Sequence, residues 1–231
     1  MRFLSYAWDW LKQPAQWHGP DGIPIRILEQ LYYTGLSLLI AALIAIPLGI
    51  LIGHTGRGAA LVVNLANAWR AIPTLGLLTL LAVTIGFSAV AWVSALAWLI
   101  PLVVLGIPPI LVNTYEGVAG VDPELKDAAR GMGMTSWQQV RKVEVPVATP
   151  LMVLGLRTGA IFVVATATIA AYIGLGGLGR YIIDGLATDN YGEVAGGALF
   201  VVVLALAVQA VFVGVRRLAV PAGLRQQARR T

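Results

Sequence analysis

Four stretches of this chain contain no Asp, Glu, Lys or Arg: Leu31–Gly56, Ala71–Tyr115, Thr158–Gly179 and Val194–Val215. A bilayer hydrocarbon core is ~30 Å thick and takes ~20 apolar helical residues to cross. Each run meets that length. The second holds two spans, with "TIGFSA" (Thr84–Ala89) as the turn between them. The runs predict an all-α integral membrane protein with five transmembrane helices, at roughly 30–53, 65–86, 89–113, 147–173 and 194–216. Strand-length stretches of alternating apolar and polar residues are absent, which argues against an outer-membrane barrel. Composition agrees: 12% of the residues are charged, against about 25% in ordinary soluble domains.

Residues 1–27 read as an interfacial segment. Asp9, Lys12 and Asp21 interrupt them, and no short apolar core with a small-residue cleavage site follows, so a secretory signal is not expected. Tyr6, Trp8, Trp10 and Trp17 suit an amphipathic helix at the membrane–water boundary. Residues 28–218 form the transmembrane domain, and 219–231 a basic tail. Arg and Lys in short loops set orientation. Arg216, Arg217, Arg225, Arg229 and Arg230 follow the last span, and Lys126, Arg130, Arg141 and Lys142 lie in the 122–146 loop. Arg57 follows the first span. The 179–193 loop holds Arg180 against Asp184, Asp189 and Glu193. The tail, central loop and first turn are therefore expected in the cytoplasm, in a cell-membrane protein. Five spans put the N-terminus outside. The net charge of +5 is a topology signal. No basic stripe on a soluble surface supports binding of nucleic acid. The chain has no cysteine, so disulfides and thiolate sites do not arise.

The polar island "DPELKDAARGMGMTSWQQVRKVEVP" (Asp122–Pro146) interrupts this apolar chain. Asp122 is a good N-cap and Pro123 suits the first helical position. Leu125, Ala128, Ala129 and Met132 fall on one helical face. Gly131 and Gly133 can end that helix. Thr135 with Gln138, or Ser136 with Gln139, makes a capping box for a second helix. Trp137 and Val140 give the second helix an apolar side, Gln139 is expected on a solvated face, and Pro146 starts the fourth span. Helices this short need something to pack against.

Asp127-Ala128-Ala129, three residues, Gly133, nine residues, then Val143-Glu144-Val145-Pro146 resembles the EAA loop of binding-protein-dependent ABC importer permeases. Asp stands where that family has Glu, and Val where it has Ile and Leu. "NAWRAIPTLGLL" (Asn67–Leu78) and "AYIGLGGLG" (Ala171–Gly179) resemble the osmoprotectant branch, for glycine betaine, carnitine and choline. Methionine importer permeases are close relatives of that branch. The resemblance covers about residues 28–218. It implies a type I importer permease fold in which Asp127, Ala128, Ala129, Met132, Gly133, Trp137 and Pro146 belong to a coupling-helix pair docked on a cytoplasmic ATPase. It further implies a second permease subunit, identical or paralogous, an ATPase dimer that binds ATP and Mg, and an external substrate-binding protein.

Other motifs have two readings each. Gly174-x-Gly176-x-x-Gly179 satisfies a dinucleotide pattern, but a membrane-length helical run precedes it where that fold needs a strand. Gly174, Gly176, Gly177 and Gly179 instead permit either tight packing or an irregular turn at the pathway mouth. Asn64, Asn67 and Arg70 recur every third residue before Pro73. They line a pathway, or lie at a helix end with Arg70 snorkelling to the interface. His18 and His54 stand alone, without metal-ligand spacing or a catalytic set. No G-x-x-x-x-G-K-[ST] loop exists, so no cofactor and no ATP hydrolysis by that route are expected in this chain. The rival readings are a methionine or other amino-acid importer permease, and an autonomous channel or ion-coupled carrier. The charge-free cores argue against ion coupling.

Overall fold

In hydrocarbon every backbone N–H and C=O must be satisfied within the protein, and a helix does this from its own residues. The computed structural model describes residues 2–68, 71, 73–85 and 91–219, and they are helical almost throughout. The elements are α1 (Arg2–Leu11), a 3₁₀ turn (Pro14–Trp17), α2 (Ile23–Thr55), α3 (Ala59–Ala68), α4 (Thr74–Ile85) and α5 (Ala91–Ala119). After these come α6 (Pro123–Gly131), α7 (Ser136–Gln139), a π-helical turn (Val140–Glu144) and α8 (Val145–Ile169). A 3₁₀ turn (Ala170–Ile173), α9 (Gly179–Ala187) and α10 (Tyr191–Ala219) complete the chain.

Four helices among the described residues are long and apolar enough to cross a membrane: Ile23–Thr55, Trp98–Ala119, Ser136–Ile173 and Tyr191–Ala219. The span expected at 65–86 is divided into α3 and α4. Pro73 stands immediately before α4, where it supplies no N–H and disfavours helix in the residue before it. Twelve-residue α4 is about 18 Å long at ~1.5 Å per residue. The expected turn at Thr84–Ala89 falls largely on residues 86–89, outside the described residues.

The chain divides into two units, each taking segments from several helices. One comprises Met1–Leu39, Ile72–Leu105 and Ala160–Val208. Its core joins Leu78 of α4, Leu102 of α5 and Val163, Ala167, Ala170 and Leu175, with Tyr33 and Trp98 against them. A second cluster joins Trp10, Ile23, Leu178 and Tyr181. Trp10 of the amphipathic α1 is buried, edge-on to Tyr181 with ring centroids 5.1 Å apart, while Tyr6 and Trp8 are exposed. A Cβ on Gly196 would run into the Trp10 ring.

The other unit comprises Ile40–Ala71, Gly106–Gly159 and Gln209–Thr231. Here α5 is flanked by two glycine seams. Gly49 and Gly53 of α2 face Thr114 and Val118, where an added Cβ would sit 2.7 Å from each side chain. Gly155 and Gly159 of α8 face Asn113 and Ile110, at 2.8 and 2.9 Å. Both pairs have the small-xxx-small spacing that lets helix backbones approach closely in lipid, where no hydrophobic force drives helices together.

Overfilling a seam should separate the helices. Gly155→Leu is expected to cost ~1–3 kcal/mol, read as a lowered melting temperature of the detergent-purified protein. Gly214→Leu, with nothing within 4 Å of its Cβ position, should leave it unchanged.

Candidate coupling element and glycine turn

The 122–146 segment folds from local chemistry. Asp122 accepts a hydrogen bond from the Glu124 N–H at 2.9 Å, with Pro123 in the first turn. The α6 C-terminus is a Schellman arrangement: Met134 N–H donates to the Ala129 carbonyl at 3.2 Å and Gly133 N–H to that of Arg130 at 2.9 Å. This requires the left-handed backbone, and Gly133 has φ +80°. Of the two capping boxes, Thr135 with Gln138 forms: Gln138 N–H donates to Thr135 Oγ1 and Thr135 N–H to Gln138 Oε1, at 3.3 and 2.9 Å.

No loop separates the second short helix from the span that follows. α7 passes through the π turn directly into α8, and Pro146 is the second residue of α8. The π turn lies just before Pro146, whose ring cannot donate back to Lys142, so the ladder loosens there.

The segment is organised round one carboxylate. Glu144 is 0% exposed. It accepts from His54 Nδ1 at 2.9 and 3.0 Å and from Gln139 Nε2 at 2.8 Å. Lys126 Nζ is 3.9 Å away and donates to the Val118 carbonyl at 3.1 Å. The last turn of α2, α6 and α7 thus meet at Glu144. With this interior satisfied, α6 packs on the π turn and on α7. Its other side is left open, and Met132 and Trp137 are each 71% exposed.

The glycine cluster lies in the first unit and is held by the start of α2. Gly177 N–H donates to Glu29 Oε2 at 2.7 Å, and Leu178 N–H to Gln30 Oε1 at 3.3 Å. The Gln30 amide donates to the Val164 carbonyl at 3.1 Å. Arg26 bridges Glu29 and Asp21. Tyr181 donates to the Asp21 carbonyl at 2.6 Å. Burial pushes its hydroxyl up to about 12, which keeps it a donor. Gly177 has φ +89°, and a Cβ there would meet Gln30 Oε1. On Gly176 it would meet the Glu29 carboxylate, and on Gly179 the Thr168 carbonyl.

Residues 45–222 match the family described as "Binding-protein-dependent transport system inner membrane component". The chain belongs to this family. The membrane component is 35% identical to the glycine betaine/carnitine/choline transport system permease protein OpuCB of Bacillus subtilis (strain 168), over 85% of this chain and 88% of that one. It is 34% identical to the choline transport system permease protein OpuBB of the same organism, over 87% and 90%. A chain of the MetNI methionine ABC transporter, solved in inward-facing conformations, superposes with a TM-score of 0.73 at 24% identity, covering 86% of this chain and 96% of that one. The all-α importer permease fold expected from the sequence is therefore the fold of this membrane component.

The residues singled out from the sequence fall in different surroundings. Asp127 and Ala128 of α6 are exposed, as are Met132, Gly133 and Trp137. Ala129 is 1% exposed and faces its own chain. Gln139, expected in solvent, is 2% exposed because Glu144 engages its amide. Pro146 is half-buried. Gly174, Gly176 and Gly177 lie in one turn, which Glu29 and Gln30 engage through the Gly177 and Leu178 N–H groups, and Gly179 opens α9. Asn67 lies in α3, Pro73 is exposed ahead of α4, and Arg70 lies outside the described residues. His54 is not isolated. It and Glu144 are the functional candidates that sequence reasoning missed, although an acid flanked by two valines at the entrance to a span was a visible signal.

Gly174 and Gly177 both have left-handed φ, but only Gly177 also faces a side chain within 4 Å. Alanine at either should cost ~1–2 kcal/mol in backbone strain. Gly177→Ala should lower the unfolding temperature further than Gly174→Ala, because it also displaces Gln30.

Proposed function

We infer that this membrane component is the pathway-forming subunit of an ATP-driven importer for osmoprotectants such as glycine betaine, carnitine or choline. The supporting observation is the 122–146 element. It is fastened inwardly through Glu144 and presents exposed Met132 and Trp137, which no described residue of this chain covers. Two short capped helices with protruding apolar side chains suit a groove on an ATPase. The substrate class rests on relatives at 34–35% identity that are named for these solutes. The methionine transporter likeness, at 24% identity, concerns fold alone.

In this reading two permease subunits, identical or paralogous, form the pathway. A pair of ATPases binds ATP and Mg and seats the α6–α7 elements. An external binding protein delivers the solute, and its aromatic residues would recognise the quaternary ammonium through cation–π contacts. Closure of the ATPase pair moves the coupling elements and shifts the pathway between inward- and outward-facing states, in proportion to each ligand's unequal affinity for them. Three checks follow for this chain. Reconstituted with its ATPase and binding protein, it should take up glycine betaine only with ATP, and alone it should move none. Uptake by the chain alone would favour a channel. Trp137→Ala should weaken ATPase binding by about tenfold or more, equal to ~1.4 kcal/mol, without altering membrane insertion. Retention of full affinity would remove this helix from the interface.

Orientation is part of the same proposal. A Cβ added at Gly192 or Gly196 would meet Trp10 of α1, so the start of α10 lies against that helix. The N-terminal segment and the Arg-poor 179–193 loop therefore keep company, as they should if both are external. In this cysteine-free chain, Trp8→Cys should react with a membrane-impermeant maleimide in intact cells and Lys142→Cys should not. The reverse pattern would invert the topology.

A further inference from the structure

The coupling reading leaves Glu144 unused. It is a fully buried acid between two valines. Replacing a buried ion pair by apolar side chains of similar volume is often neutral or stabilising, so such a group is a poor choice for filling space. Its partners show another use. α7 is joined to α8 by continuous helix through the π turn, so any movement of α7 reaches α8 along the backbone. The last turn of α2 has no such covalent path, because Glu144 lies 90 residues from His54. The His54–Glu144 hydrogen bonds supply the missing link. A carboxylate only accepts, so His54 carries its hydrogen on Nδ1 and Gln139 turns its amide N–H inward. Hydrogen bonds in a dry interior are directional and strong, whereas apolar contacts permit sliding.

The geometry points to His54 and Glu144 as positioning residues of the transport cycle: the buried carboxylate locks α6, α7 and the start of α8 to the last turn of α2, so that a displacement of the coupling helices is delivered to the first span in the same step. This rests on the importer reading above. Gln139 and Lys126 are the clamps on the coupling side, and His54 is the clamp on the span.

The test uses the complete transporter in proteoliposomes. His54→Ala removes the donor, and His54→Asn keeps an amide N–H close to where Nδ1 stands. With His54→Ala, co-purification of the ATPase and its ATP turnover should persist while solute moved per ATP falls by about fivefold or more, the lower range of a typical coupling energy. With His54→Asn, most of that ratio should return, which a purely packing role would not produce. An unchanged ratio in His54→Ala, an equal loss in His54→Asn, or a loss that tracks loss of bound ATPase would each overturn the inference. A second measurement reads no solute. Nitroxides on cysteines introduced at exposed Arg57 and Glu124 report the distance from the end of α2 to α6 by pulsed electron resonance. With His54 present, that distance should keep its value and width between the nucleotide-free and ATP-bound states. With His54→Ala, it should shift or broaden on ATP binding. Identical behaviour in both backgrounds refutes the lock even where glycine betaine uptake is confirmed, and a failed solute assignment leaves this arm decisive.

Discussion

A carboxylate shut away from water must find donors inside the protein, and Glu144 imposes that demand on everything near it. Leaving a buried charge unpaired costs ~3–5 kcal/mol, comparable with much of the stability of an ordinary fold. The requirement brings the last turn of α2 to the π turn, draws Gln139 out of solvent and sets the side on which α6 lies. What remains facing outward from α6 and α7 is the complement: Met132, Trp137 and the exposed charges round them. One buried acid thus decides both the interior fastening and the exterior face.

Elsewhere the chain relies on the opposite device, the absence of side chains. In lipid, apolar surface gains nothing by leaving the solvent, so attraction between spans comes from close contact. Gly49 and Gly53 on one side of α5 and Gly155 and Gly159 on the other bring three backbones to the separation at which dispersion contacts accumulate. Polar locks such as Glu144 fix where helices meet, and glycine seams fix how near they come.

What the sequence made legible follows the range of each interaction. The membrane-length helices were visible because charge exclusion acts residue by residue. The Asp122 cap, the Thr135–Gln138 box and the Gly133 turn were visible because capping acts over two to four positions. Pro73 was visible too, but hydropathy averages across it, and a segment that reads as one span is two helices. Contacts between distant positions were not legible. His54 looked solitary with its partner 90 residues away. Gln139 looked solvated because nothing near it in sequence signals a buried partner for its amide. Ala129 read as docking surface, since periodicity finds a face without saying which neighbour covers it. The glycine cluster left packing and pathway readings open, and Glu29 and Gln30, which engage the Gly177 and Leu178 N–H groups, lie too far off in sequence to be foreseen.

Those last contacts bear on how the chain is made. Gln30 is fully buried, yet its amide partners are the Val164 carbonyl and the Leu178 N–H, 134 and 148 residues further on. At ~5–20 residues per second, a ribosome needs roughly 7–30 s to supply the second of these. Throughout that interval Gln30 lacks its final partners and Glu29 has Arg26 but not the Gly177 N–H, and hydrocarbon offers no substitute. This end of α2 must therefore wait in the headgroup region or in the aqueous interior of the insertion machinery until the glycine turn emerges. The order of synthesis leaves the first span waiting on a turn made long after it.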